Sequence, residues 1–224
     1  MTIFSRPVAL LVMALIFLLA WLFGGPANGI DLPVIEYAAE LRAWAPGFAR
    51  FAASFTHFGG AAITLGIAAV ATASLLVRRH PGAALLLAGT VLTERFLVDG
   101  LKAWIGRPRP AIDPLVHLPQ SLAYPSGHAA NSMAAFLAVA LIATPARYRW
   151  ATTVAALILA VLVGCSRVLL GVHWPSDVIG GWALGMFCVG LALLVGQRSG
   201  VLPVEPQHDI VGRHGLPADQ QESA

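Results

Sequence analysis

Six apolar stretches, each close to a membrane thickness in length, constrain this chain more than any other feature. They run over about residues 7–24, 60–77, 82–101, 127–144, 151–171 and 177–196. A helix needs about 20 apolar residues to cross the hydrocarbon core of a bilayer. Lipid offers no hydrogen bonds to an open backbone, so such stretches must close their own as helices. Charged residues make up only 11% of the chain and mean hydropathy is +0.76, whereas a soluble domain carries roughly 25% charged residues. The expectation is an all-α, polytopic membrane protein: a six-transmembrane-helix bundle over residues 1–198, with a polar, aperiodic tail at 199–224 that is flexible and cytoplasmic. The first stretch follows Arg6, but it is long for a signal peptide and has no small-x-small cleavage site after it, so it reads as a span.

Charge places the loops. With six spans, Arg6, Arg78, Arg79, Arg147, Arg149, Arg198 and Arg213 share one side, and Arg42, Arg50, Lys102, Arg107 and Arg109 share the other. Setting Lys102, Arg107 and Arg109 aside as a special cluster leaves an excess that puts both termini in the cytoplasm. The loops at 25–59, 102–126 and 172–176 then face outward, and the protein sits in the cytoplasmic (inner) membrane. A net charge of +3 with no basic run argues against nucleic acid as a partner. Cys165 and Cys188 lie singly in apolar runs and read as small buried hydrophobes. In the first outer loop, Tyr37, Leu41, Trp44, Phe48, Phe51 and Phe55 recur at helical spacing, interrupted near Pro46, with Glu36, Glu40, Arg42 and Arg50 off that stripe. Such a helix either lies in the membrane interface or packs on the bundle; it is where recognition of a lipid tail is expected.

Three polar clusters stand out against this apolar background. Lys102, Arg107 and Arg109 lie in KAWIGRPRP; Ser126, Gly127, His128 and Asn131 in YPSGHAAN; Ser166, Arg167, His173 and Asp177 in SRVLLGVHWPSD. The first two share the loop between spans three and four, and the third lies between spans five and six. Two spans separate these loops, so they emerge on one face. Singly, a histidine is usually a packing residue and an arginine at a helix end an interfacial anchor. Together, on one face, they suit phosphoryl transfer. A phosphate needs several fixed donors as charge spreads over its equatorial oxygens. Lys102, Arg109 and Arg167 supply cations, and the backbone N–H groups of Ser126 and Gly127 are expected at a helix N-terminus, a natural anion site. His173 has Asp177 four residues on, a carboxylate able to fix one ring nitrogen as N–H and free the other to attack. His128, with no acid near it in sequence, suits the general acid. Arg95, Asp99 and Lys102 share a helix face, so Asp99 is expected to pair with Arg95 and hold Lys102. Arg107, Asn131 and Ser166 are further candidates to support the site, Arg107 with the alternative of touching phosphate or a lipid headgroup. His57 and His117 read as outer-loop residues, while His80, His208 and His214 fall on the opposite side.

The spacings Lys102 to Arg109-Pro110, Pro125-Ser-Gly-His128, and Ser166-Arg167 to His173 to Asp177 together resemble the three signature motifs of the type 2 phosphatidic acid phosphatase superfamily, complete and in order, over roughly residues 60–195. That resemblance implies a metal-independent lipid phosphate phosphatase with no cofactor. It implies that His173 forms a phosphohistidine, that Asp177 orients it, that His128 is the general acid, and that Lys102, Arg109, Ser126, Gly127 and Arg167 hold the phosphate. The expected substrate is a lipid phosphate monoester or diphosphate, such as phosphatidic acid, phosphatidylglycerophosphate or undecaprenyl diphosphate; no obligate protein partner is implied. Two other readings compete. One is a vanadate-dependent haloperoxidase, disfavoured by a short lipid-embedded chain. The other is a non-enzymatic phosphate-binding membrane protein or transporter.

Overall fold

A computed structural model describes residues 5–26, 29–110, 112, 114, 115 and 121–203. His117, His208, Arg213, His214 and the tail beyond 203 lie outside the described residues. Among the described residues the regular structure is all helical: α1 (Ser5–Phe23), α2 (Asp31–Trp44), α3 (Pro46–Phe55), a 3-10 turn (Thr56–Gly59), α4 (Ala61–Val77), α5 (Pro81–Ile105), α6 (Gly127–Ala138) continued by a π-helical segment (Val139–Ala143), α7 (Ala146–Leu169) and α8 (Pro175–Arg198). The helices α1 and α4–α8 coincide with the six apolar stretches of the sequence. By length and composition, α7 and α8 each suffice to cross a membrane, and α3 with its 3-10 turn forms with α4 a pair bent by 44° that passes together. The α1 and α6 helices are apolar but shorter, and α5 carries Glu94, Arg95, Asp99 and Lys102 along its length.

The α6 helix is the centre of the bundle, with α4, α5, α7 and α8 around it and α1 against the outer side of α8. Its sequence, GHAANSMAAFLA, is short of large side chains, which lets neighbouring backbones come close. The tightest approach is with α8. A Cβ on Gly181 or Gly185 would collide with Ser126 O, Ala130 O or the Met133 Cβ of α6. Because α8 begins at the site and α6 begins with Gly127, this contact fixes the two site-bearing termini against each other. Below it, Leu87, Val91, Ala134, Ala138, Ala160 and Val189 form the main core.

The segment between α1 and α4 forms the helical pair α2–α3, broken at Ala45 where Pro46 starts α3. Its buried face is not the aromatic stripe but Ile35, Ala38, Ala49 and Ala52. Tyr37, Trp44, Phe48 and Phe51 are exposed; apart from Ile35, the apolar side chains buried from the pair are the small Ala38, Ala49 and Ala52. Tyr37, Phe48, Phe51 and Phe55 line a groove of about 510 Å³ together with Leu162, Cys165, Leu169 and Trp182. Arg42 departs from its expected exposure off the stripe. It is buried and donates to Leu169 O (2.7 Å) and Ile112 O (3.1 Å), capping the end of α7. Cys165 is likewise exposed rather than buried, whereas Cys188 is buried. The tail expected to be flexible from 199 starts out docked: Leu202 N donates to Gly196 O at 2.8 Å and its side chain packs on the core.

The α6–α8 approach makes a direct test. Gly185→Leu overpacks the contact and is expected to cost about 1–3 kcal/mol, seen as a lower melting temperature in detergent. Gly89→Ala in α5, where a Cβ meets nothing within 4 Å, is expected to be neutral or stabilising by up to about 1 kcal/mol through helix propensity.

Candidate active site

The three polar clusters meet at one end of the bundle, where α5 and α7 finish and α6 and α8 begin. His173 lies in the turn between α7 and α8, only 2% exposed. Its Nδ1 stands 3.3 Å from Asp177 Oδ2, and its Nε2 3.0 Å from Arg109 Nη1. These contacts fix the tautomer. A guanidinium has only N–H donors, so Nε2 must be the acceptor, and the proton sits on Nδ1, donated to the carboxylate. Nε2 therefore keeps its lone pair. Burial, followed by the positive fields of Arg109, Lys102, Arg167 and His128, holds the His173 imidazole well below its usual value. The ring is neutral at physiological pH.

The cations around this ring are held apart from each other by neutral acceptors. Lys102 donates to Leu122 O (2.6 Å) and Ala123 O (3.4 Å). Arg109 donates to Ser121 O (2.7 Å), Ser121 Oγ (3.0 Å) and Val172 O (2.6 Å). Arg167, buried at the end of α7, donates from Nη1 to Thr56 Oγ1 at 3.0 Å, and its Nε has no hydrogen-bond partner among the described residues. The Ser126 hydroxyl is buried and equally without a partner. Unpartnered buried donors are costly, and here they converge on the α6 N-terminus. The N–H groups of Gly127 and His128 lie in its first turn, where the helix offers no acceptor. A Cβ on Gly127 would touch Val98 and Lys102 Cε at 3.5 and 3.9 Å. This donor set suits an anion.

One sequence expectation changes here. The Ser126 N–H is not free for an anion, because it donates to Asp177 O at 2.9 Å. Ser126 is the residue before the helix, and its backbone closes the loop onto α8, leaving its hydroxyl as the available donor. His128 is half-buried and backed by the 3-10 turn: its Nε2 lies 3.9 Å from the Cβ position of Gly60, and its backbone would block a Cβ on Gly59.

Arg107 turns away from the anion site. It is buried and forms an ion pair with Asp177 Oδ1 at 2.9 Å, and it stacks on Tyr124 at 4.4 Å. Arg95 and Asp99 pair as expected, at 3.2 Å, but on the half-exposed side of α5. Lys102 is held by loop carbonyls instead, because 102 sits at the last turn of α5 where the chain folds over it. Ser166 donates back to Val163 O at 2.6 Å within its own helix and lines the aromatic groove. Asn131 is buried one turn below Gly127, its Oδ1 without a partner among the described residues. No local pattern marks Thr56, nor Asp31 and Ser176, which meet from positions far apart in the chain: Asp31 Oδ1 accepts from Ser176 N at 3.0 Å.

The fold is already known. Residues 83–200 match the model of the PAP2 superfamily. The chain is 32% identical over 186 residues to phosphatidylglycerophosphatase B of Bacillus subtilis, covering 81% of this chain and 90% of that protein. It is 39% identical over 87 residues to an undecaprenyl-diphosphatase of Sulfolobus acidocaldarius, about 40% of either chain. Among solved structures, a transmembrane PAP2-type phosphatidylglycerolphosphate phosphatase from Bacillus subtilis superposes with TM-score 0.77 at 29% identity, over 84% of this chain and 96% of that one. The chain belongs to the PAP2 superfamily.

The depressed His173 ionisation has a sign that can be checked. Below an unfolded value of about 6.5 the unfolded chain takes up a proton at this ring that the folded protein refuses. Stability present above pH 6.5 is therefore lost as pH falls through that value. In His173→Gln the acid slope of melting temperature against pH is expected to be shallower than in the parent; an unchanged slope would mean that the ring is not held neutral.

Proposed function

We propose that this protein is a lipid phosphate phosphatase that works through a phosphohistidine at His173, without a metal. The observation that carries this is the Arg109 contact to His173 Nε2, which puts an unprotonated imidazole nitrogen among phosphate donors. In the first step His128 carries a proton taken up beside the bound phosphate dianion; Nε2 attacks phosphorus, the N–P bond forms as the bond to the lipid oxygen breaks, and His128 gives that proton to the leaving oxygen. In the second step water attacks phosphorus from the vacated side. The N–P bond breaks, His128 takes the water proton, and inorganic phosphate departs. Lys102, Arg109, Arg167, the Ser126 hydroxyl and the Gly127 N–H hold the phosphoryl oxygens, and their hold strengthens as negative charge shifts on to them. Asp177 keeps the Nδ1 proton in place.

The substrate class follows from the surroundings and the relatives. The site sits at one end of an apolar bundle, where a headgroup can reach it while its chains stay in lipid. A relative matched over 90% of its length is named for phosphatidylglycerophosphate, and a shorter match for undecaprenyl diphosphate. Six spans, with both termini in the cytoplasm and the site outside, is the arrangement the loop charges favour. The aromatic groove does not continue the phosphate site. Leu162, Cys165 and Leu169 share one face of α7, and Arg167 projects from nearly the opposite face at 100° per residue.

Purified protein in detergent, with EDTA present, is expected to release phosphate from lipid phosphates. His173→Ala is expected to abolish this, and His128→Ala to slow it by about 10²–10⁴-fold. Full activity in His173→Ala would exclude the mechanism. Vanadate-dependent bromide oxidation in place of phosphate release would support the haloperoxidase reading.

A further inference from the structure

The side of Asp177 that faces away from His173 is held by a chain of buried polar groups that reaches back to the start of α2. Arg107 Nη1 donates to both Asp177 Oδ1 and Ser176 Oγ, each at 2.9 Å. Its Nη2 donates to Ala20 O (3.1 Å) and Trp21 O (2.5 Å) at the end of α1. The Ser176 hydroxyl donates to Asp31 Oδ2 at 2.5 Å, and the same oxygen accepts from Gly25 N at 2.6 Å. Asp31 is 2% exposed, and each of its oxygens accepts from α8.

The polarity of this chain is fixed at one end. A carboxylate only accepts, so the Ser176 O–H must point at Asp31. Its lone pairs are then turned toward Arg107, which has only protons to offer. Arg107, pinned on three sides, occupies Asp177 Oδ1 and leaves Oδ2 to the Trp174 N–H (2.9 Å) and His173 Nδ1. We infer that Asp31 is a positioning residue for the histidine nucleophile, acting through Ser176 and Arg107. This rests on the proposed function, since it concerns the ring that attacks. The chain runs from an acid through a hydroxyl, a guanidinium and a second acid to the imidazole, and its links come from three parts of the sequence, Asp31, Arg107 and the stretch 173–177. Asp31 touches no reacting atom.

Asp31→Asn keeps the shape but can present an N–H where the Ser176 proton was received, which turns the hydroxyl proton toward Arg107. Ser176→Ala removes the link without changing charge. Groups that support a reacting ligand from behind typically cost about 10–100-fold when altered. Each variant is therefore expected to lower kcat, and the single-turnover rate of phosphate transfer to the enzyme, by at least about 10-fold, with KM changed by less than about 2-fold because the phosphate donors are untouched. The double variant is expected to be no worse than the more impaired single one, since both cut the same chain. Activities are normalised to the folded fraction from thermal melts in detergent. A purely structural role would lower the melting temperature and leave kcat per folded molecule unchanged. That result in either variant, or additive losses in the double variant, would overturn the inference. His173→Ala is run alongside: if it remained active, the phosphohistidine reading itself would fail, whereas loss of activity there with full kcat in Asp31→Asn would sink the positioning role alone.

Discussion

Like-charge repulsion is the constraint on which this structure depends. Lys102, Arg109 and Arg167 approach the same imidazole, and Asp177 is the carboxylate that answers them. Such a cluster is stable without its anion only if every cation has somewhere else to donate. The fold provides the carbonyls of residues 121–123 and 172 and the hydroxyl of Thr56. Carbonyls are neutral, so they hold the cations in place without cancelling their charge. On the proposed mechanism, a phosphate would meet donors already aimed, with little reorganisation left to do.

The helices serve this arrangement. The close contact of α6 with α8, made through Gly181 and Gly185, sets the Gly127 terminus against the turn that carries His173. The bond from Ser126 N to Asp177 O ties the two termini directly. Cations leave from the ends of α5 and α7, and donors and nucleophile arrive at the starts of α6 and α8. That polarity matches the helix dipoles: carbonyl-rich ends bear the arginine and lysine, and N–H-rich ends face the anion site.

Much of this was legible in the sequence because membrane chains separate signals cleanly. Long apolar runs fix where helices lie, and polar residues survive at their ends only for a reason. Counting spans between His128 and His173 was enough to put both on one face. The pattern at His173 and Asp177 is local, four residues apart, and so readable. What stayed hidden depends on pairs far apart in the chain. Nothing near Asp31 signals that it will meet Ser176, and nothing near Arg107 chooses Asp177 over a phosphate. The aromatic stripe at 37–55 has helical spacing, but in lipid a stripe of large side chains need not face inward. There the small residues Ala38, Ala49 and Ala52 mark the packed face instead. Family membership supports the reaction class; the named residues and their geometry support the mechanism, since a fold by itself hosts many chemistries.

On the proposed mechanism His173 Nε2 bonds to phosphorus during turnover. The most direct measurement is to mix the protein with a lipid phosphate labelled in its phosphoryl group, quench within one turnover, and map the label by peptide under conditions that preserve phosphohistidine. Label on the peptide holding His173, stable in base and lost in acid, is the expected result. Label on a serine or carboxylate, or phosphate release at full rate with no labelled enzyme at any time, would contradict the account.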